Sequence, residues 1–349
     1  MDSKTNIFKL LWLIWIMAYQ LKQINALCPL CSSKAGILLF ETDSESAAVF
    51  LTLGGKYFKK YFKIKKEIEK IWKGKTCKMI RCANCSFGYS YPFKAGTSEF
   101  YSLFYDALQY PSWKWEYSLT LREIKKLPLK NLNYLEVGAG CGAFARKAAL
   151  IIKPENMLCT EYSRESADTI RRLGIKCINK NLQDFKDSDK FSIICLFQVL
   201  EHLDNLDKVF IKLKKISKPN ADIFISVPDE ENIDFCENKL GFRDFPPNHI
   251  GRFNIKVFDF LCEKYGFRIM DYKRKRYNTY AYFRDVSMGI RTIRSKKADS
   301  FENRIFAIRN KFLRRLFSLL LVPMYLVYAA YLKPKNKLAT IQWIHLRNK

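Results

Sequence analysis

Acidic residues, histidine and long apolar runs are all scarce in this sequence of 349 residues. There are 34 acidic side chains against 61 basic ones, which gives a formal net charge of +27. Such an excess favours anionic partners, either nucleic acid or an acidic membrane surface; a lysine-rich surface that only solvates the protein is the alternative. Hydrophobic residues make up an ordinary 48%, which supports a sizeable core and argues against a wholly disordered chain.

No apolar run is long enough for a comfortable membrane span. Residues 10–19 form a short run, which we interpret as an amphipathic or membrane-touching helix, or the product of an upstream start codon, rather than a signal peptide. Residues 316–332 form a second run, interrupted by Pro323, with two arginines before it and three lysines after it. Its length and the proline favour a re-entrant or interfacial helix pair whose flanks suit anionic lipid. A pair of core helices is the alternative.

Four of the eleven cysteines form two C-x-x-C pairs, Cys28 with Cys31 and Cys82 with Cys85. Two residues between the cysteines let both thiolates reach one tetrahedral Zn²⁺, and two such pairs supply four sulfurs. The pairs are far apart for a zinc ribbon and leave room for a helix over residues 57–72. Cys77 is a spare ligand, and four unligated thiols in a reducing compartment are the alternative.

The sequence is organised around a glycine-rich stretch at residues 133–146. A short apolar strand containing Glu136 runs into Gly138, Gly140 and Gly142, and an alanine-rich helix is predicted over 143–152. Strand, tight turn and helix start form the geometry in which backbone N–H groups meet the polar end of a ligand. Glycine permits positive φ there and lets the ligand approach the backbone closely.

The spacing E-x-G-x-G-x-G resembles motif I of the class I S-adenosylmethionine (SAM) methyltransferases. The resemblance extends from Cys28 to Leu346 and implies that Glu136 and the three glycines contribute to SAM binding. Cysteine knuckles followed by an aromatic-proline turn, Phe87-Gly-Tyr-Ser-Tyr-Pro92, resemble a subgroup whose members act on sugars and on polysaccharide or lipid precursors.

Three further acidic or aromatic positions are candidates for the cofactor site. Glu161 ends a predicted strand about two dozen residues after the glycines, where a carboxylate can accept hydrogen bonds from both ribose hydroxyls; a solvent-facing Glu is the alternative. Asp184 and Phe185 resemble the family's third motif, and the resemblance implies that they face the adenine ring.

A continuous apolar run at residues 191–197 predicts a central parallel strand, followed by Gln198-Val-Leu-Glu-His202. This segment resembles the subgroup's D-V-L-E-H signature, with Gln198 in place of its Asp. The resemblance places Gln198 in the cofactor site. It implies that Glu201 and His202 are structural residues or lie in the cofactor's surroundings.

His249 is our candidate base. It lies in a proline-stiffened loop ahead of a predicted helix, and the loop resembles the family's P-P-H-H segment on the substrate side, with Asn248 replacing one His. An imidazole titrates near neutral pH and can accept a proton there. A histidine that only shapes the loop is the alternative.

We therefore predict an α/β fold, a doubly wound Rossmann-like methyltransferase sheet with an N-terminal zinc-binding module and a C-terminal hydrophobic helical insertion. The predicted divisions are an apolar helix and zinc module (1–95), a helical linker (96–130), the SAM-binding core (131–290), a membrane-associating insertion (291–337) and the last strand (338–349).

The function expected from this resemblance is SAM-dependent methyl transfer to a hydroxyl or carbon of a sugar, glycan or lipid-linked acceptor. No Asn-Pro-Pro-Tyr loop follows the fourth strand, which argues against methylation of a base's exocyclic amine. An RNA methyltransferase that docks through its zinc ribbon and basic surface, and an inactive membrane adaptor, are the alternatives. We expect a cytoplasmic protein attached peripherally or monotopically to the inner face of a membrane.

Overall fold

A computed structural model describes most of the chain. The described residues are 26–51, 58–105, 113–128, 132–240, 244–295, 304–305, 308, 310–332 and 338–349. The apolar run at 10–19 and the lysines within 333–337 lie outside them. The chain forms two compact units, one of Met1–Val227, Phe245–Tyr272 and Trp343–Lys349, the other of Pro228–Asp244 and Lys273–Gln342.

The first part of the chain builds a small antiparallel sheet with helices. Its elements are β1 (Gly36–Asp43), α1 (Ser44–Leu51), α2 (Phe58–Trp72), β2 (Thr76–Cys82), β3 (Gly88–Tyr91), α3 (Ser98–Tyr105) and α4 (Trp115–Ile124). The helix predicted between the two cysteine pairs is confirmed as α2, whose apolar side packs through the buried Ile64 and Ile68.

Alternating strands and helices follow. They are β4 (Tyr134–Val137), α5 (Ala143–Ala148), β5 (Met157–Thr160), α6 (Arg164–Arg171), β6 (Lys176–Ile178), β7 (Phe191–Phe197), α7 (Leu206–Ile216), β8 (Ser217–Pro228), α8 (Glu230–Lys239), β9 (Gly251–Arg252), α9 (Ile255–Tyr265) and β10 (Phe267–Arg276). The remaining elements are α10 (Thr279–Ser295), α11 (Lys311–Leu319), α12 (Val322–Tyr331) and β11 (Ala339–Asn348).

Within the described residues the larger sheet has seven strands in the order β10-β11-β8-β7-β4-β5-β6. Strands β4 to β8 run parallel, with Leu135 opposite Leu158 on one side and Ile194 on the other. Strand β4 is buried along its whole length and β7 nearly so, as expected of central strands covered on both faces.

Strand β11 runs antiparallel to its neighbours. Asn348, at its end, donates to the carbonyl of Ser217 at the start of β8, while His345 contacts Asp222 further along β8. On the other side, Lys349 bonds to Gly266 just before β10. The sheet is therefore mixed, and the predicted Rossmann-like α/β fold with a final antiparallel strand is confirmed.

Several local signals end or begin elements where the sequence suggests. Ser163, Asp229 and Asn254 cap α6, α8 and α9 by accepting a backbone N–H from the first turn. Gly266 ends α9 with a φ of +73°. One local prediction was inaccurate: α5 ends at Ala148 rather than at residue 152. The predicted division between residues 290 and 291 falls inside α10.

Candidate active site and cysteine cluster

The glycine turn leaves β4 at the carboxyl edge of the large sheet. Gly138, Gly140 and Gly142 all have positive φ, at +67°, +55° and +75°. A Cβ on Gly138 would lie 2.8 Å from the side chain of Val199, and one on Gly142 would lie 2.7 Å from that of Ile170. Both conformation and space therefore require glycine at these two positions, and the turn lies directly against the segment that follows β7.

Glu161 joins this turn to the neighbouring strand. Its carboxylate accepts a 2.7 Å hydrogen bond from the backbone N–H of Gly140 and a 2.9 Å bond from that of Ser163. The turn is held further by Thr160, whose hydroxyl accepts from the N–H of Gly138 at 3.2 Å. Each carboxylate oxygen keeps a second lone pair, so Glu161 can still accept from ligand hydroxyls. The structure thus brings together the glycines and the acid that the sequence singled out.

Glu136 has a different environment. Its side chain is 1% exposed and accepts a 2.7 Å hydrogen bond from the hydroxyl of Tyr134. Burial raises the pKa of Glu136 to about 7, even though the bond from Tyr134 acts in the opposite direction. The carboxyl therefore lies in the core beneath the turn, and its contribution to SAM binding stays a prediction.

Asp184 and Phe185 lie at the end of a short 3₁₀ turn before β7. Asp184 is exposed, whereas Phe185 is buried, with its ring against that of Phe191. Lys180 lies 5.0 Å from the centre of the Phe185 ring. The expected contact of these residues with adenine stays a prediction.

Sequence reasoning missed Tyr162, which immediately follows Glu161. Its side chain is 56% exposed, and its hydroxyl bonds to Asn181. Burial and the nearby carboxylates of Asp184 and Glu161 raise the pKa of Tyr162, which places these groups around one ring. An exposed aromatic side chain next to the acid predicted to bind ribose can stack on a nucleobase. Its position in the sequence, directly after the strand's acid, was the signal that could have revealed it.

Gln198 follows β7 with a φ of +57°. Its side-chain amide donates to the hydroxyl of Ser226 on β8 at 3.3 Å, and that hydroxyl donates to the carboxylate of Glu116 on α4 at 3.4 Å. Glu116 is completely buried. The sequence did not reveal this chain of side chains, because an acid in the first turn of a helix ordinarily faces water.

His249 lies beside His202, with ring centres 4.7 Å apart at an angle of 60°. The Nδ1 atom of His202 is 2.5 Å from the backbone carbonyl of Asn248. Since a carbonyl can only accept, Nδ1 carries the hydrogen, and the other ring nitrogen of neutral His202 has a lone pair. The N–H of Ile250 donates to the carbonyl of Glu201 at 2.9 Å, so the loop is fixed to this segment on both sides of His249.

Glu201, His202 and His249 each offer one ligand atom within 4.8 Å of the others. Such a group can share a proton or hold a divalent cation. Tyr101 of α3 lies against His202, with ring centres 5.6 Å apart. Val199 contacts the glycine turn, and Glu201 and His202 follow Val199 closely in the chain. The predicted base, His249, therefore lies on the same edge of the sheet as the predicted SAM site.

The four predicted metal ligands, Cys28, Cys31, Cys82 and Cys85, also converge, with all sulfurs within 4.8 Å of one another. The Sγ atoms of Cys28 and Cys85 are 3.6 Å apart, and those of Cys31 and Cys82 are 3.5 Å apart. A tetrahedral zinc site with 2.3 Å Zn–S bonds has sulfur–sulfur edges of about 3.8 Å, so the arrangement fits Zn²⁺.

The two cysteine turns repeat one backbone geometry. Ser32 and Ser86, each following the second cysteine of its pair, have φ of +59° and +63°, and each donates its N–H to the carbonyl of the first cysteine. The hydrogen bond with Cys85, together with burial, raises the pKa of the Cys28 thiol. A bound cation would instead favour the deprotonated form of Cys28, because thiolates are the metal ligands.

This cysteine module is built onto the candidate active site. The sheet runs β1-β2-β3-β9, and β9 comes from the segment just after His249. Gly88 pairs with Arg252, and the N–H of Ser90 donates to the carbonyl of Ile250 at 2.9 Å. The loop that carries His249 is therefore held between the module and the segment after β7.

Residues 113–272 match a family model described as "Methyltransferase domain". This part of the chain is therefore similar to methyltransferase domains, in agreement with the prediction from motif I.

Over 131 residues the chain is 27% identical to the mitochondrial ubiquinone biosynthesis O-methyltransferase of Dictyostelium discoideum. The match covers 33% of this chain and 41% of that protein, so the chain spans about two fifths of the length of the curated relative it matches. Among solved structures, it is similar to a SAM-dependent methyltransferase from Archaeoglobus fulgidus (15% identity, 71% of this chain and 100% of that chain, TM-score 0.43). It is also similar to the Haemonchus contortus phosphoethanolamine N-methyltransferase 2 (12% identity, 67% of this chain and 52% of that chain, TM-score 0.39).

Proposed function

We propose that this protein transfers a methyl group from SAM to a hydroxyl or carbon of a sugar, glycan or lipid-linked acceptor, with His249 as the base. The observation that carries the proposal is the placement of His249 and His202 beside the segment that contacts the glycine turn. The O-methyltransferase relative supports a hydroxyl acceptor among these choices.

Different residues of the chain would bind SAM and deprotonate the acceptor. SAM would supply an electrophilic methyl group on a sulfonium centre. The N–H groups of the glycine turn would hold the amino-acid part of SAM, Glu161 its ribose and Tyr162 its adenine. Gln198 would offer its side-chain carbonyl oxygen to a donor, since its amide nitrogen already donates to Ser226. His249 would accept the proton that an acceptor hydroxyl loses as its oxygen bonds to the methyl carbon.

Four sulfurs at tetrahedral spacing support a structural Zn²⁺ as the second bound group. Its role would be to hold the module that supplies three strands of the sheet to which β9 belongs. The acceptor would then meet a loop whose position depends on the metal.

The test is tritiated-methyl transfer to lipid, glycan and RNA fractions of the host, comparing the wild-type protein with His249→Ala. We expect transfer to the lipid or glycan fraction, with turnover about 10²–10⁴-fold lower in the variant because a positioned base is lost. SAM affinity measured by calorimetry should be unchanged.

Three results would contradict this proposal. Near-normal turnover of His249→Ala from pH 6 to 9 would make His249 a scaffold residue. Transfer confined to RNA, with RNA binding that weakens steeply as salt rises, would favour the RNA methyltransferase alternative. Tight SAM binding without transfer to any fraction would favour an adaptor that has kept the fold and lost turnover.

A further inference from the structure

Among the described residues, exposed large apolar side chains are concentrated on helices α11 and α12. Both helices lie in the unit formed by Pro228–Asp244 and Lys273–Gln342. Ten of their residues, counting Leu320 just after α11, have large apolar side chains that are 41–83% exposed. These residues are Phe312, Leu313, Leu316, Phe317, Leu319, Leu320, Leu326, Val327, Tyr328 and Tyr331. Ten exposed apolar side chains on two successive helices indicate an interaction surface rather than a scatter of single exposed residues.

The sequence of α11 concentrates its apolar residues on one side. At 100° per residue, the six apolar residues from Phe312 to Leu320 fall within about 160° of arc. The apolar side is the exposed one, so α11 directs toward solvent the face that an amphipathic helix normally buries.

Helix α12 is nevertheless packed within its unit, because one side of it belongs to a buried cluster. Leu321, Tyr325 and Ala329 are buried together with Leu240 and with Val286 and Ile290 of α10. The hydroxyl of Tyr282 donates to the carbonyl of Ala329 at 3.0 Å, which fixes α12 against α10. A Cβ on Gly289 would lie 2.5 Å from Leu240, so this packing is close. The exposed face is thus the outer side of a preformed platform.

The stretch of sequence that contains α11 and α12 carries charge of one sign. Glu302 is the last acidic residue of the sequence, whereas residues 303–337 contain eight lysines and arginines. Basic residues at this density flank surfaces that bind anionic partners, and anionic lipid headgroups beside acyl chains match both the charge and the apolar side chains. No helix among the described residues is long and apolar enough to cross a membrane.

We propose that α11, α12 and the short turn between them form a preformed interfacial platform that binds the surface of an anionic bilayer. The exposed leucines and aromatic residues enter the boundary between headgroups and acyl chains, and the neighbouring basic residues meet anionic headgroups. Because α12 is already packed on α10 and α11 is already helical, binding requires little new helix. This inference does not depend on the proposed catalytic function.

The experiment is sedimentation of the full chain with vesicles of phosphatidylcholine alone and of phosphatidylcholine mixed with phosphatidylserine. We expect binding to the mixed vesicles that weakens as salt rises. The double variant Leu319→Asn/Leu320→Asn should weaken it at least about tenfold, equivalent to ~1.4 kcal/mol, because two side chains that are each 62% exposed lose their apolar contact with the bilayer. Leu150→Asn is the matched control, since Leu150 is 78% exposed in the other unit and should not change binding.

Two further measurements complete the test. Arg314→Gln/Arg315→Gln should reduce the preference for phosphatidylserine and the salt dependence. Far-UV circular dichroism should stay unchanged on binding, and a rise in helix content would overturn the preformed platform. The apolar run at 10–19 is present in every variant, so differences between variants report on α11 and α12 alone.

The proposal fails if the full chain does not sediment with the mixed vesicles, or if Leu319→Asn/Leu320→Asn binds them as the wild type does. It also fails if sedimentation equilibrium shows a dimer that this variant disrupts while vesicle binding is absent. That result would make the face a contact between two copies of the chain.

Discussion

Replacing Glu136 with glutamine should stabilise the protein by an amount that grows with pH. The native carboxyl has a pKa of about 7 because it is buried, whereas the ordinary value is 4.5. Between these values the folded chain holds a proton that the unfolded chain has released. The ionisation of Glu136 therefore lowers the free energy of unfolding of the wild type as pH rises from about 4.5 to 7, and this loss of stability persists above pH 7.

The two pKa values fix the size of the effect. A tenfold change in proton affinity corresponds to ~1.36 kcal/mol, so the full cost of the buried charge is about 3 kcal/mol. About 2.5 kcal/mol of it accumulates between pH 5 and pH 8. Glutamine keeps the shape and an oxygen that can accept from Tyr134, but it carries no charge at either pH.

Urea unfolding of the wild type and Glu136→Gln at pH 5 and pH 8 measures the stability difference between the two proteins at each pH. The stability advantage of the variant should be larger at pH 8 than at pH 5 by about 2.5 kcal/mol. Glu155→Gln is the matched control, because the Glu155 side chain is 66% exposed and its advantage should not vary with pH. An advantage for Glu136→Gln that is equal at both pH values would refute the assignment of a buried, proton-holding carboxyl.

Two other predictions concern the bound groups. Gly140→Val and Glu161→Ala should each weaken SAM binding in calorimetry, the second by about 1.5–3 kcal/mol because charge-assisted hydrogen bonds are lost; unchanged affinity in both would contradict the assigned cofactor site. Metal analysis should find near-equimolar zinc in the wild type, lost in Cys82→Ser/Cys85→Ser and retained in Cys77→Ser, whose buried thiol lies outside the cysteine cluster. Full zinc in the double variant would point to other ligands.

Elements with strong local signals could be predicted from the sequence. The apolar run of β7 reflects burial that depends on neighbouring residues in the chain, and its predicted bounds match the structure. The glycine turn was equally visible, because positive φ at alternate positions requires one residue type. Cysteine spacing predicted which four sulfurs converge.

Features that depend on distant partners could not be predicted. Strand β9 has only two residues, too few for any periodicity, and it exists because β3 offers an open edge. Glu116 has the sequence context of an ordinary first-turn acid, yet it is buried against Ser226. The contact of His202 with His249 arises where two loops meet, 47 positions apart in the chain. In each case the stabilising contacts are tertiary, and no local sequence pattern indicates them.

The pairing of β3 with β9 also constrains how the chain is made. Gly88 leaves the ribosome about 160 residues before its partner Arg252. At 5–20 residues per second, the edge of β3 waits roughly 10–30 s for that partner. An open strand edge invites pairing with other chains during such an interval. The cysteine turns are complete well before then, so zinc captured early would hold β2 and β3 in place until the loop of His249 arrives to close the sheet.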